Sequence, residues 1–180
     1  MTTSPEPRRR DVYSVASGGE TIYAEATGAG RPVVLCHGLG GNHAIWWRQV
    51  HAFARGHRVV TWDQRGFGNS TAITGDISIE AAAADLLAVL DELDLRDACV
   101  IGQMANAGFT DAELQQLAVP VSFVAAEFDQ FCPPAVMQYA SKRFRDATMH
   151  VLEGASHSAY YEAPAAWNDL VLAIADGRVR

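Results

Sequence analysis

Three stretches of the chain gather residue types that can move protons or hold a negative charge: His37-Gly38-Leu39-Gly40-Gly41, Glu127-Phe128-Asp129-Gln130-Phe131-Cys132-Pro133-Pro134, and Gly154-Ala155-Ser156-His157-Ser158 running on through Glu162-Ala163-Pro164. An imidazole accepts a proton near neutral pH and returns it to a leaving group, and a carboxylate behind it fixes the tautomer and stabilises the imidazolium. Glycines let a backbone come close to a reacting group, so that N–H donors can hold a developing oxyanion. Losing one such donor costs roughly 3–4 kcal/mol of transition-state stabilisation.

Such loops need rigid elements to aim them. Residues 12–17 and 21–26 alternate around Gly18-Gly19, a two-residue hairpin turn in which glycine accepts positive φ. An apolar run at 32–36 enters the first loop, and Asn42 is placed to cap a helix over 43–54. A strand at 58–62 follows, then the loop Asp63-Gln64-Arg65-Gly66-Phe67-Gly68-Asn69-Ser70 and an amphipathic helix over 78–93 with Glu80, Asp85 and Glu92 outward. The strand 98–101 comes next, and Thr110-x-x-Glu113 forms a capping box for a helix through 118. Strands at 119–126 and 148–152 alternate with helices at 134–144 and 164–175. This alternation predicts an α/β fold: a mostly parallel, doubly wound sheet opened by an antiparallel hairpin, with ligands collecting at the carboxyl ends of its strands. Residues 1–10 read as a disordered lead-in, and 11–180 as a single domain.

The 180 residues carry 14 Lys and Arg against 21 Asp and Glu, a net charge of −7, so no basic footprint for nucleic acid is expected. A hydrophobic fraction of 49% with 19% charged residues is that of a chain able to bury a core. The longest apolar candidate, 81–90, is broken by Asp85 and too short to cross a bilayer, so no membrane association is expected. The polar start lacks the apolar segment of a secretion signal, which predicts a cytoplasmic protein. Three scattered cysteines without C-x-x-C argue against a disulfide framework or a structural zinc. His43, His51, His57 and His150 lack metal-ligand spacing, and no phosphate-binding glycine motif is present, so neither metal nor cofactor is implied.

With these residues in view, the chain resembles the α/β-hydrolase family over residues 12–175. The match runs in order: a strand into H-G-x-G-G, then D-x-R-G-x-G-x-S at 63–70, an acid after a late strand, and a histidine after the last strand ahead of an E-x-P helix start. The resemblance implies that Asp129 is the acid and His157 the base of a catalytic triad, in the order Ser…Asp…His of this fold. It also implies that the backbone of Gly38 and Leu39 forms the oxyanion loop. Trp46, Trp47 and Phe131 line an apolar acyl pocket in one reading and belong to the core in the other. His37, Asp63 and Arg65 read as residues that hold their loops.

The chain departs from the family where the nucleophile belongs. After the strand 98–101 the family turns through G-x-S-x-G, whereas this sequence reads Gly102-Gln103-Met104-Ala105-Asn106. A thioether has no proton for His157 to remove, so the nucleophile position at Met104 is vacant of chemistry. The 16 residues between Gln103 and Pro120 suffice for one crossover, where the family has an elbow helix, a further strand and often a cap. The expected sheet is therefore about one strand short, with 98–101 beside 119–126, and the uncovered apolar surface is expected to favour self-association. Among substitute nucleophiles, Cys36 reads as core and Ser70 as a turn residue; Cys132, Ser156 and Ser158 stand nearer the acid and base. The implied function is that of a hydrolase by descent acting on a small apolar acyl-type substrate, an ester or lactone, with weak or no activity. The alternative is a non-catalytic ligand-binding or interaction module on the same scaffold.

Overall fold

The computed structural model describes residues 9–102 and 111–179. The chain divides into two compact units, Met1–Asn106 and Ala107–Arg180.

In the first unit, β1 (Arg10–Ser17) and β2 (Glu20–Gly28) form the expected hairpin, closed by the pair Ser17↔Glu20 with Gly18 and Gly19 at φ +54° and +84°. Both turn residues need positive φ, as a type I′ turn requires. The sheet continues with β3 (Arg31–Cys36), β4 (His57–Trp62) and β5 (Cys99–Gly102), in the order β1-β2-β4-β3-β5. β2 runs antiparallel to β4, and β3 runs parallel to both β4 and β5. Alternation sends Val15, Ile22, Ala24, Ala26, Val60 and Trp62 to one face, where Val89 and Leu93 of α2 (Ile79–Glu92 and its C-cap) pack on them. A 3-10 turn at His43–Trp46 and α1 (Trp47–Phe53) contact β3 and β4, and Trp46 and Phe53 are fully buried.

The second unit starts with α3 (Asp111–Gln116) and joins β6 (Val121–Ala126) to β7 (Ala147–Leu152) in parallel. Between them α4 (Pro134–Ser141) packs on both strands, and the Phe123 and Phe144 rings meet edge to face at 5.2 Å. α5 (Ala159–Glu162) and α6 (Pro164–Ala175) close the unit, with Tyr160 against Trp167.

Several expectations need correction. The helix after Asn42 starts as a 3-10 turn, because the Asn42 side chain accepts the Ala44 N–H and Trp46 enters the core. The short α5 was not anticipated, since a single turn leaves too little periodicity to read. Within the first unit β5 ladders with β3, and within the second β6 ladders with β7. Asp85 is not on the outer face of α2: it is fully buried and takes two hydrogen bonds from Arg65, at 2.7 and 2.6 Å. Among the described residues no helix is long and apolar enough to cross a membrane.

Candidate active site

In the second unit the parallel strands deliver their two loops to the same end. Glu127 N–H donates to Leu152 O at 3.0 Å and Phe128 N–H to Ala155 O at 2.9 Å, which ties the acid-bearing loop to the histidine-bearing one. Asp129 curls back on its own turn, Oδ1 accepting the Phe131 N–H at 2.8 Å and the Cys132 N–H at 2.9 Å. His157 Nδ1 lies 3.1 Å from Oδ1 and 3.0 Å from Oδ2 of the same carboxylate. A carboxylate on Nδ1 selects the tautomer with its hydrogen there and leaves Nε2 as the proton acceptor.

Burial alone would raise the Asp129 carboxyl, but the Cys132 N–H, the His157 ring and the Phe131 N–H outweigh it and hold it below the usual carboxylate range. Asp129 is thus an anion at neutral pH, positioned behind an imidazole whose side chain is 43% exposed. The Phe131 ring stands 4.9 Å from the His157 ring and is itself largely exposed. Glu162, which the sequence marks only as the start of E-x-P, accepts the Ser156 N–H at 2.7 Å, the Ser156 hydroxyl at 2.7 Å and the Ser158 N–H at 3.1 Å. It therefore brackets His157 from both sides in sequence. The Ser156 hydroxyl and its N–H hold the Glu162 carboxyl low.

Of the substitute nucleophiles in this unit, Cys132 has its thiol pushed up by burial and by the Asp129 charge, which keeps it protonated. The Ser156 hydroxyl is spent on Glu162.

In the first unit, the glycine loop follows β3. His37 is 1% exposed; its Nδ1 faces Gly38 O at 2.8 Å and its Nε2 accepts the Gln64 N–H at 3.0 Å. Both ring nitrogens are engaged and burial pushes the ring's pKa down, so His37 is a neutral strut between two loops. Gly38 O accepts the Gly41 N–H at 3.1 Å, turning the loop back on itself, and the Leu39 side chain projects into solvent. Trp46 takes the core place of its two readings, while Trp47 is 61% exposed with the Arg48 guanidinium 4.8 Å above its ring.

Cys36 is a core thiol pushed up to about 11 by burial. Ser70 is structural, its hydroxyl donating to Asp63 O at 2.6 Å and accepting the Tyr23 N–H at 2.9 Å. Met104 lies outside the described residues.

The family model described as the alpha/beta hydrolase fold matches residues 31–103. Over 106 residues the chain is 40% identical to a protein of Azorhizobium caulinodans named for carbamate hydrolysis (RutD), covering 58% of this chain and 39% of that one. It is 35% identical over 91 residues to a non-heme chloroperoxidase of Kitasatospora aureofaciens, covering 50% and 33%. Among solved structures, the meta-cleavage product hydrolase of Pseudomonas fluorescens IP01 aligns with a TM-score of 0.81 at 13% identity, covering 93% of this chain and 98% of that one. The chain has the alpha/beta hydrolase fold. It spans about a third to two fifths of the length of these curated relatives.

Proposed function

We propose that Asp129 and His157 are the orienting acid and the general base of a hydrolytic site for small esters, lactones or similar carbonyl compounds. The observation that carries this reading is the pairing of His157 Nδ1 with both oxygens of an anionic Asp129, at 3.0 and 3.1 Å. The arrangement leaves Nε2 to take a proton from an attacking group and to hand it to the departing one. Within the same family pattern, Gly38 and Leu39 are read as the oxyanion loop and Phe131 as an apolar contact for an acyl group. A relative named for carbamate hydrolysis supports a carbonyl-centred substrate. Three free thiols suit a cytoplasmic setting.

With methionine at position 104, the covalent route through a hydroxyl is absent from this reading, and water activated by His157 is the remaining nucleophile. Catalysis of roughly 10³–10⁴-fold over water can survive loss of a triad member, sustained by binding and the oxyanion hole. Turnover is therefore expected to be weak. The same methionine favours the second reading, a ligand-binding module on the hydrolase scaffold.

Hydrolysis of p-nitrophenyl acetate by the purified chain separates the two. Slow turnover that disappears in His157→Ala and falls in Asp129→Asn supports the acid–base reading. Turnover unchanged by His157→Ala refutes it, and none above buffer leaves only the binding module.

A further inference from the structure

A second carboxylate–imidazole pair sits in the first unit. Asp63 is fully buried; its Oδ1 accepts the His43 backbone N–H at 2.6 Å and faces His43 Nδ1 at 2.8 Å, while Oδ2 accepts the Asn69 N–H at 2.8 Å. This carboxylate accepts the ring N–H at Nδ1, and Nε2 faces the second carboxylate, 3.6 Å from Glu25 Oε1. The Tyr23 hydroxyl donates to Glu25 Oε1, and the Arg10 guanidinium lies 3.3 Å from the same oxygen. Burial, and next the Glu25 carboxylate, push the Tyr23 phenol up to about 12, so it stays a donor. Glu25 is thereby locked in place from two sides.

These groups open onto a recess. Arg10 pairs with Thr27 and Glu25 with Thr61 in register, and strand alternation puts all four on one face of β1, β2 and β4. Over that face the 3-10 turn and α1 present His43 and Trp47, four residues apart and so on one side of the helical path. Together they line a hollow of about 250 Å³.

Its chemistry is selective. One end carries the Glu25 carboxylate as acceptor beside the Arg10 guanidinium as donor; the exposed Trp47 indole makes a flat apolar wall. A ligand anion would meet the Glu25 and Asp63 charges, and a ligand cation would meet Arg10. A neutral group offering an NH₂ to the Glu25 carboxylate and a C=O to the Arg10 guanidinium pairs with both. The volume lies below the roughly 300–1,000 Å³ of drug-sized pockets, which sets the ligand at fragment size.

We propose that this recess, formed by His43, Glu25, Arg10 and Trp47, binds a small neutral molecule with a primary carboxamide head and a flat apolar body. The proposal is independent of the hydrolytic reading, since none of its residues belongs to the Asp129–His157 pair.

The test is a titration of the isotopically labelled full chain with benzamide, followed by the NMR signals of the Trp47 indole N–H and the histidine rings. Saturable shifts with Kd on the order of 1 mM are expected, weakened roughly ten-fold in both Glu25→Gln and Trp47→Leu. Benzoate, which adds a charge, and N,N-dimethylbenzamide, which lacks the NH₂, are each expected to bind about ten-fold more weakly. His43→Ala is the less informative variant because it strips a partner from buried Asp63. Unchanged melting of the Glu25 and Trp47 variants shows that they are folded. Absence of saturation, equal binding of benzoate, or unaltered affinity in both folded variants would each overturn the proposal.

Discussion

Replacing Asp85 with alanine removes the carboxylate that pairs with the buried Arg65 guanidinium. Arg65 donates from Nε to Asp85 Oδ2 at 2.7 Å and from Nη2 to Oδ1 at 2.6 Å, while Nη1 reaches Asp76 O at 3.2 Å. Arg65 is 5% exposed and Asp85 0%. A planar fork facing a carboxylate, both out of water, leaves an unpaired buried cation when one side is deleted, and such a loss costs about 3–5 kcal/mol. For a chain of this size each kcal/mol moves Tm by roughly 2–4 °C, so Asp85→Ala should lower it by about 6–20 °C.

An internal control is the pair Arg96–Asp94, slightly longer at 2.9 Å but about four-fifths exposed on both sides. Solvent screens it, and Arg96→Ala should change stability by no more than about 1 kcal/mol. Replacing both Arg65 and Asp85 by apolar residues should recover part of the loss, because the penalty lies in the orphaned charge and not in the absence of attraction. Urea unfolding read by circular dichroism checks all three. If Asp85→Ala cost no more than Arg96→Ala, burial would not set the value of this ion pair.

Three further outcomes are expected. Gly68 has φ +53° and a Cβ there would overlap the Asp63 carboxylate, whereas Gly75, at φ +73°, has open space around it. Gly75→Ala should therefore cost only the left-handed strain of about 1–2 kcal/mol, and Gly68→Ala clearly more, as unfolding midpoints will show. Glu20 takes hydrogen bonds from Thr71, Thr74 and the Ile73 N–H, which bring its carboxyl from 4.5 down to about 2. A lowered folded-state value means stability that is whole above pH 4.5 and lost as pH falls toward 2, so Glu20→Gln should flatten the acid limb of a stability–pH curve in that window. With its thiol at about 11 and accepting the Trp62 indole N–H, Cys36 should react with a thiol reagent at pH 8 far more slowly than it does in the unfolded chain, and equal rates would contradict its placement.

Much of this was readable from the residues in order. The hairpin around Gly18-Gly19, the glycine loop after β3 and the strands bearing Asp129 and His157 follow from short-range rules: turn residues that need positive φ, apolar runs of strand length, and Pro or Asn at helix starts. Position in the family pattern singled out Asp129 and His157 from sequence alone, and the folded chain pairs their side chains; the thioether at 104 is visible in the sequence too.

What only the folded chain decided is which groups meet. Asp85 reads as an outward helix acid until Arg65, twenty residues earlier, is found to satisfy it in the interior. Trp46 and Trp47 are neighbours of one type, yet one is core and the other surface, because the turn from 3-10 to α geometry points them apart. Glu25, His43 and Asp63 carry no common spacing that could announce them. Hydrophobic periodicity reports which side of an element is buried, but the partner of a polar side chain is set by strand register and crossover, and these exist only once the sheet has formed.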